Sequence, residues 1–542
     1  MAARMTSPCL FPAKRTYRAN SAKGDGFDCD YLSRPLSPDA GKGRFFMILW
    51  PWAHGAMGAA MAFACQTAAA AQTIEVPAAQ SETTSPETTS PDTALTGEGP
   101  SLPTVADRPL EQDGNDPLLA LAETQGDGGA FLDAVSLAVS RHGNVRSASA
   151  MVDAADARRD EAGMGLIPDV QLGLQSRESI ASSFSGQPGT QFERTRARSR
   201  VDATFQVRQT LLDFGTIGST ISAAGERLRA AREDLDAARE QVALSAIAAW
   251  YDVFAARALL SLSNSFVEEQ EGLVADLEQR IQSGFSAEGD MARLRSSLAL
   301  ARTDRARYRR MLAGAVASYE EFIGTPPPPD LERAPAPAVP AVTAEMAAFL
   351  ARQSPAVLSA EAQARAAADD ARATSAERLP VIDGSIEGGR YGLVRDQYDG
   401  DYDIRAVLTL RQNFFTGAIP RARGAKAQAR AADARADAIA DEAARAAAIA
   451  WADVDSLDVE LQALADNYVA SRQTRDVLAL RFLASRGELF DVMQAQDSFF
   501  AIAARYIQVL TERDAARYVL LARTGRLLGA LGLPNEGEYS PS

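Results

Sequence analysis

Between residues 201 and 211, Val201, Ala203, Phe205, Val207, Gln209 and Leu211 alternate with Asp202, Thr204, Gln206, Arg208 and Thr210. Two hundred residues later, Tyr402, Ile404, Ala406, Leu408 and Leu410 alternate with Asp403, Arg405, Val407, Thr409 and Arg411. A period of two puts one set on each face of a strand, one face apolar and one polar. Each run is the second strand of a pair. Before each pair come a helical stretch (131–164; 344–377) and a proline, Pro168 or Pro380, that opens the first strand. The strands of each pair are separated by turn-rich segments.

The period then changes. After Gly215 no proline occurs until Pro326, and Ile217, Ile221, Ala224, Leu228, Ala231, Leu235, Ala238 and Val242 recur at spacings of four and three. This heptad seam predicts a helix of roughly 65 residues, about 100 Å long, reaching Ile281. A twin runs from Ile419 to Phe482. Gly215 and Gly417 stand where strand turns into helix, with Asp213 and Thr416 as candidate caps.

The chain repeats itself. VRQTLLDFG at 207–215 is answered by LRQNFFTG at 410–417. VRSASA and VLSAEA, like Pro168 and Pro380, are 212 residues apart, whereas Trp250 and Trp451, Arg280 and Arg481, and Asp290 and Asp491 are 201 apart. The longer turn between the first pair of strands accounts for the change. Ordered matches of this kind indicate an internal duplication. Strands of 9 to 13 residues with one apolar face are long enough to cross a bilayer in a barrel wall, where no sheet edge can stay unpaired. Four strands are too few to close a barrel. Two copies of the chain would supply eight, and three copies twelve.

Composition narrows the chemistry. The 542-residue chain carries a formal net charge of −15 and no basic run beyond its leader, which argues against a nucleic-acid partner. Its three cysteines, Cys9, Cys29 and Cys65, lie near the start. Beyond residue 71 the only imidazole is His142, read as a helical surface residue. No Cys/His zinc site, Gly-rich phosphate loop or nucleophile–base pair stands out, so neither an enzyme nor a cofactor is expected. Residues 1–71 read as an N-terminal extension and signal peptide, with AFAC at Cys65 a poor lipoprotein signal and no later segment able to span a bilayer as a helix. Residues 72–127, rich in Ser, Thr, Pro and acids, read as a disordered tether. The first helix-strand-strand-helix repeat covers 128–323, a Pro-rich linker 324–343, the second repeat 344–532 and a tail 533–542. Trp250 and Trp451 read as packing residues.

These residues resemble the TolC family of outer membrane exit ducts, over about 130–532. The helix turns carry part of that likeness: RIQSGFSAEGDMARL supplies Arg280, Gly284 and Asp290, and RFLASRGELFDVMQAQ supplies Arg481, Phe482, Asp491, Val492 and Ala495. The resemblance implies a mixed, mainly α fold: a long-helix α-barrel continuous with a transmembrane β-barrel, four strands per chain, closed by a homotrimer. It also implies outer membrane lipid around the strands, helices in the periplasm of a Gram-negative cell, and export through a periplasmic adaptor (membrane fusion) protein from an inner-membrane ABC or proton-driven transporter. Asp491 matches an aperture position, and Gln494 stands where some members have a second acid. Arg280, Gly284, Asp290, Arg481, Ser485 and Gly487 fall at the tip, where the adaptor would touch. Asp290 and Asp491 also suit helix N-caps, and the arginines could equally pair with acidic neighbours. The competing reading is a non-channel periplasmic coiled-coil scaffold.

Overall fold

Pro168 and Pro380 each stand directly before a strand: β1 is Asp169–Glu178, β2 Ser199–Leu212, β3 Val381–Arg390 and β4 Tyr402–Arg411. The computed structural model describes residues 100–109, 116–126, 128–181, 183, 199–283, 288–338, 342–393, 402–412, 414, 417–484 and 486–533, all within one compact unit, 86–542. The strands form one antiparallel sheet in the order β1-β2-β3-β4. Register carries the alternation across it: Val170 faces Val207, Val207 faces Ile386 and Ile386 faces Ala406. The β2–β3 pairing joins the two repeats, and β1 and β4 remain as open edges. An irregularity between Thr210 and Leu212 ends the β2–β3 ladder just before the turn into the helix.

The described helices are α1 (Pro117–Glu123), α2 (Gly129–Arg141), α3 (Gly143–Met164), α4 (Thr216–Gln282), α5 (Glu288–Ile323), α6 (Ala344–Ala351), α7 (Pro355–Ala376), α8 (Ala418–Leu483), α9 (Leu489–Arg523) and α10 (Leu527–Ala530). The two long ones, α4 with 67 residues and α8 with 66, match the seam's expectation. Ala223, Ala224, Leu228, Leu235 and Val242 of the α4 seam are buried. Alanine on several sides lets each long helix change partners along its length. Near the sheet, α4 packs between α3 and α7, and α7 packs against α8; Ser222 bonds Asp369 at 2.6 Å and Asp234 accepts from Ser359 at 2.6 Å. Farther on, α4 pairs with α5 and α8 with α9, as in Arg302–Glu271 at 2.7 Å and Arg505–Glu460 at 2.8 Å. The main core lies midway, where Phe131, Trp250, Tyr251, Tyr319 and Tyr518 gather.

Five expectations need correction. The stretch 131–164 is two helices, because His142 adopts an extended conformation and caps α3 through Nδ1, which accepts from the Asn144 N–H at 3.2 Å. Its ring stacks on Phe322 at 5.8 Å, so it is half-buried, not a helical surface residue. The stretch 344–377 likewise breaks at Ser354, before the Pro355 that opens α7. The tether is not disordered throughout: within 100–109 and 116–126, Leu102 and Leu118 are buried and α1 is a formed helix. Finally, α4 does contain one window apolar and long enough to span a membrane, but 78% of it is buried within the protein, as befits a core helix.

Candidate functional site

The sheet presents its apolar residues to the outside. Leu172 is 82% exposed, Leu174 75%, Leu408 72% and Leu410 66%, all on the same face by register. An apolar face of this extent in water would be unfavourable, since each fully buried side chain of this kind is worth about 1.5–3 kcal/mol. The opposite face pairs its charges internally. Asp383 accepts from Thr210 at 3.0 Å and from Arg411 at 2.7 Å, and Arg405 binds Asp403 at 2.6 Å.

At the first strand-to-helix junction the backbone turns through two successive left-handed residues, Phe214 at φ 53° and Gly215 at φ 95°. Asp213 braces the turn: its carboxylate accepts from the N–H groups of Gly215, at 3.0 Å, and Ile217. Gly215 stands at the N-cap of α4, and Asp213, two positions earlier, supplies the side chain that meets the Ile217 N–H. Gly417 is different. Its φ is −66° and open space surrounds its would-be Cβ, so this junction does not need glycine. Thr416 lies outside the described residues.

The repeated Arg-Gln has a visible purpose. Gln209 donates to the carbonyl of Leu166 at 3.1 Å, and Gln412 donates to that of Arg378 at 2.8 Å. Both carbonyls lie just past the end of the preceding helix, α3 or α7, and they keep the 212-residue offset. Each glutamine ties the end of a short helix to the foot of its sheet. The twin tryptophans are also more than packing: Trp250 donates to the Glu332 carbonyl at 3.0 Å and Trp451 to the Val342 carbonyl at 2.7 Å, so both grip the linker.

At the far ends of the long helices the two turns meet. Arg280 of α4 donates to the carbonyls of Phe482 and Leu483, at 3.0 and 3.1 Å, and lies 4.4 Å from the Phe482 ring centre. A cation there suits the partial negative charge of the α8 C-terminus. Leu277, Met291, Leu294, Phe482, Leu489, Val492 and Met493 pack beneath it. Arg481 is exposed and takes no comparable position. Asp290 and Asp491 are each the third residue of a helix, α5 and α9. Asp491 and Gln494, one turn apart, share an exposed face, whereas Asp290 is half-buried. Gly487 is tightly seated, for a Cβ would stand 3.1 Å from the Phe482 nitrogen. Gly284 and Ser485 lie outside the described residues. The Arg280 contacts escaped sequence reasoning because they span 202 and 203 residues; the aromatic after Arg481 was their only signal.

Residues 134–325 match the family model described as outer membrane efflux protein. No curated protein matches the chain by sequence. Among solved structures, the chain is similar to the outer membrane protein VceC of Vibrio cholerae, with 18% identity, TM-score 0.65, and 75% of this chain and 97% of that one covered. It is similar to the MtrE outer membrane channel of Neisseria gonorrhoeae at 18% identity and TM-score 0.63, covering 79% and 97%. For the CmeC outer membrane channel of Campylobacter jejuni the values are 12%, 0.64, 77% and 90%. These likenesses give the fold: long helices continued into a β-barrel wall. The chain thus has, across most of its length, the fold of outer membrane channels, and residues 134–325, nearly all of its first repeat, match the outer membrane efflux protein family.

Proposed function

We propose that three copies of this chain form a passive export duct: a twelve-stranded barrel joined to a twelve-helix tunnel. The observation that carries this is the four-stranded sheet with two open edges and an exposed apolar face. In lipid each unpaired backbone group costs several kcal/mol, so β1 of one copy must meet β4 of the next. The alternation of strand direction makes that closing pair antiparallel as well. Eight strands would leave an interior filled by side chains, whereas twelve leave a lumen. The helices repeat the logic, since α3 and α8 are the outer members of the row α3-α4-α7-α8.

The duct performs no chemistry and holds no cofactor; what passes is chosen by an inner-membrane ABC or proton-driven transporter and its periplasmic adaptor. The cargo is a type I secreted protein or small molecules, according to which pump it serves. Asp491 and Gln494 face the aperture, and Arg280, Arg481, Asp290 and Gly487 belong to the tip that meets the adaptor. The exposed apolar strand face weighs against a water-soluble scaffold. Planar-bilayer recording tests the reading. The wild type should show a discrete, cation-sensitive conductance, and Asp491→Ala should raise it as a ring of three charges is lost. Unchanged conductance with unchanged cation block would remove Asp491 from the aperture; no conductance at all from inserted wild-type protein would sink the duct.

A further inference from the structure

Residues 100–109 and 116–123 lie along the long helices, with Pro103 nearer their tips than Asp116, and their anchors are buried. Asp116 caps α1, accepting from the N–H groups of Leu118 and Leu119 at 2.8 and 3.3 Å. The same carboxylate accepts from the Tyr468 hydroxyl at 2.9 Å and from Arg472 at 2.7 Å, both on α8. Nearer the tip lies Arg475, 0% exposed. It donates to the Pro103 carbonyl at 2.9 Å, pairs with Asp476 at 2.6 Å and with Glu269 of α4 at 3.5 Å, and sits 4.5 Å from the Phe499 ring centre of α9. At the other end Arg333 of the linker donates to the carbonyls of Leu121 and Ala122, both at 2.9 Å, and binds Asp514 of α9 at 2.6 Å.

This arrangement joins what the duplication left separate. The α4/α5 hairpin belongs to the first repeat and α8/α9 to the second; the two touch chiefly through α9 against α4. Arg475 brings together both repeats and the N-terminal segment at one point, about 12 Å along α8 from its last residue. A buried guanidinium must have its N–H groups met. Asp476 and Glu269 meet some, and the Pro103 carbonyl meets another, so the segment completes the site and is not merely laid over it. Leu102 and Leu118, both buried, fix it on either side of Asp116.

We propose that residues 100–109 and 116–123 form a clasp that locks the first repeat's hairpin to the second's, with Arg475 as its pin, and that releasing the clasp frees the two tips to separate. Only the consequence for opening rests on the duct reading; the clasp itself belongs to a single chain.

Hydrogen exchange on the full-length protein in detergent tests this. The combined variant Glu269→Gln, Arg475→Met, Asp476→Asn removes the pin without stranding a charge. Exchange over residues 100–109, 268–283 and 472–484 should quicken at least tenfold, while the strands keep their protection and the surface variant Arg505→Ala matches wild type. If the clasp residues exchange faster but both tip segments stay as protected as in wild type, the segment is a passenger and the proposal falls. Should the combined variant not fold, Tyr468→Phe removes one hydroxyl from the latch and should quicken the same segments about threefold; no change there overturns the proposal equally. Exchange is read within each chain, so a clasp that behaves as stated in a protein that never conducts would sink the duct and spare the clasp. A conducting trimer with indifferent tips would do the reverse.

Discussion

The two repeats agree near the sheet and along the belt around the linker, and differ at their tips and at one junction. Gln209 and Gln412 hold equivalent carbonyls, and Trp250 and Trp451 each grip the linker. Yet Gly215 is left-handed where Gly417 is not, and Arg280 caps the other repeat's helix where Arg481 is exposed. Duplication preserved the contacts each repeat makes with itself and its linker. It let go where a repeat meets its non-identical neighbour, because there the two copies face different surroundings. The clasp is the extreme case: it serves the seam between the repeats.

Paired substitutions can break or sharpen this contrast. The largest effect belongs to Trp250→Ala, which empties a buried aromatic site and should cost about 3–5 kcal/mol; Trp451→Ala, at a half-buried position, should cost clearly less, both read as the midpoint of thermal unfolding in detergent. Next, Gly215→Ala places a Cβ on a left-handed residue and should cost about 1–2 kcal/mol, while Gly417→Ala should be neutral or slightly stabilising. Equal losses at both glycines would contradict the difference described. Gln209→Ala and Gln412→Ala should then cost about 1 kcal/mol each and nearly the same amount; a large inequality would show the shared motif to be shared only in spelling.

The smallest effect concerns pH. Burial pushes the Glu269 carboxyl up to about 7, with Arg475 opposing and Asp476 reinforcing the shift. The ionised form is therefore disfavoured in the folded protein, so stability should rise as pH falls from about 7 towards the ordinary carboxylate range. Glu269→Gln should flatten that dependence and leave the melting temperature at pH 8 unchanged or higher. A steeper dependence in the variant would show that another group sets it.

Much of this was legible in the residues. Period-two runs gave β2 and β4, Pro168 and Pro380 marked the starts of β1 and β3, and an unbroken heptad from Ile217 gave a helix of the right length, because periodic burial leaves a periodic trace. Asp213 and Gly215 stand out in the residues because a strand-to-helix turn has few chemical solutions. The clasp did not read. Leu102, Asp116 and Leu118 are isolated anchors in a stretch whose Ser, Thr, Pro and acidic average looks unfolded, and the partners of Asp116 on α8 lie more than 350 residues away. The breaks at His142 and Ser354 were hidden because helical composition continues across both.

The claim on which the rest depends is that a single chain cannot seal its own barrel. Native mass spectrometry of protein extracted from outer membranes, released from the micelle, measures it directly. Three chains per particle, needing detergent throughout, is the expected result; a single chain that stays in solution without detergent would contradict it.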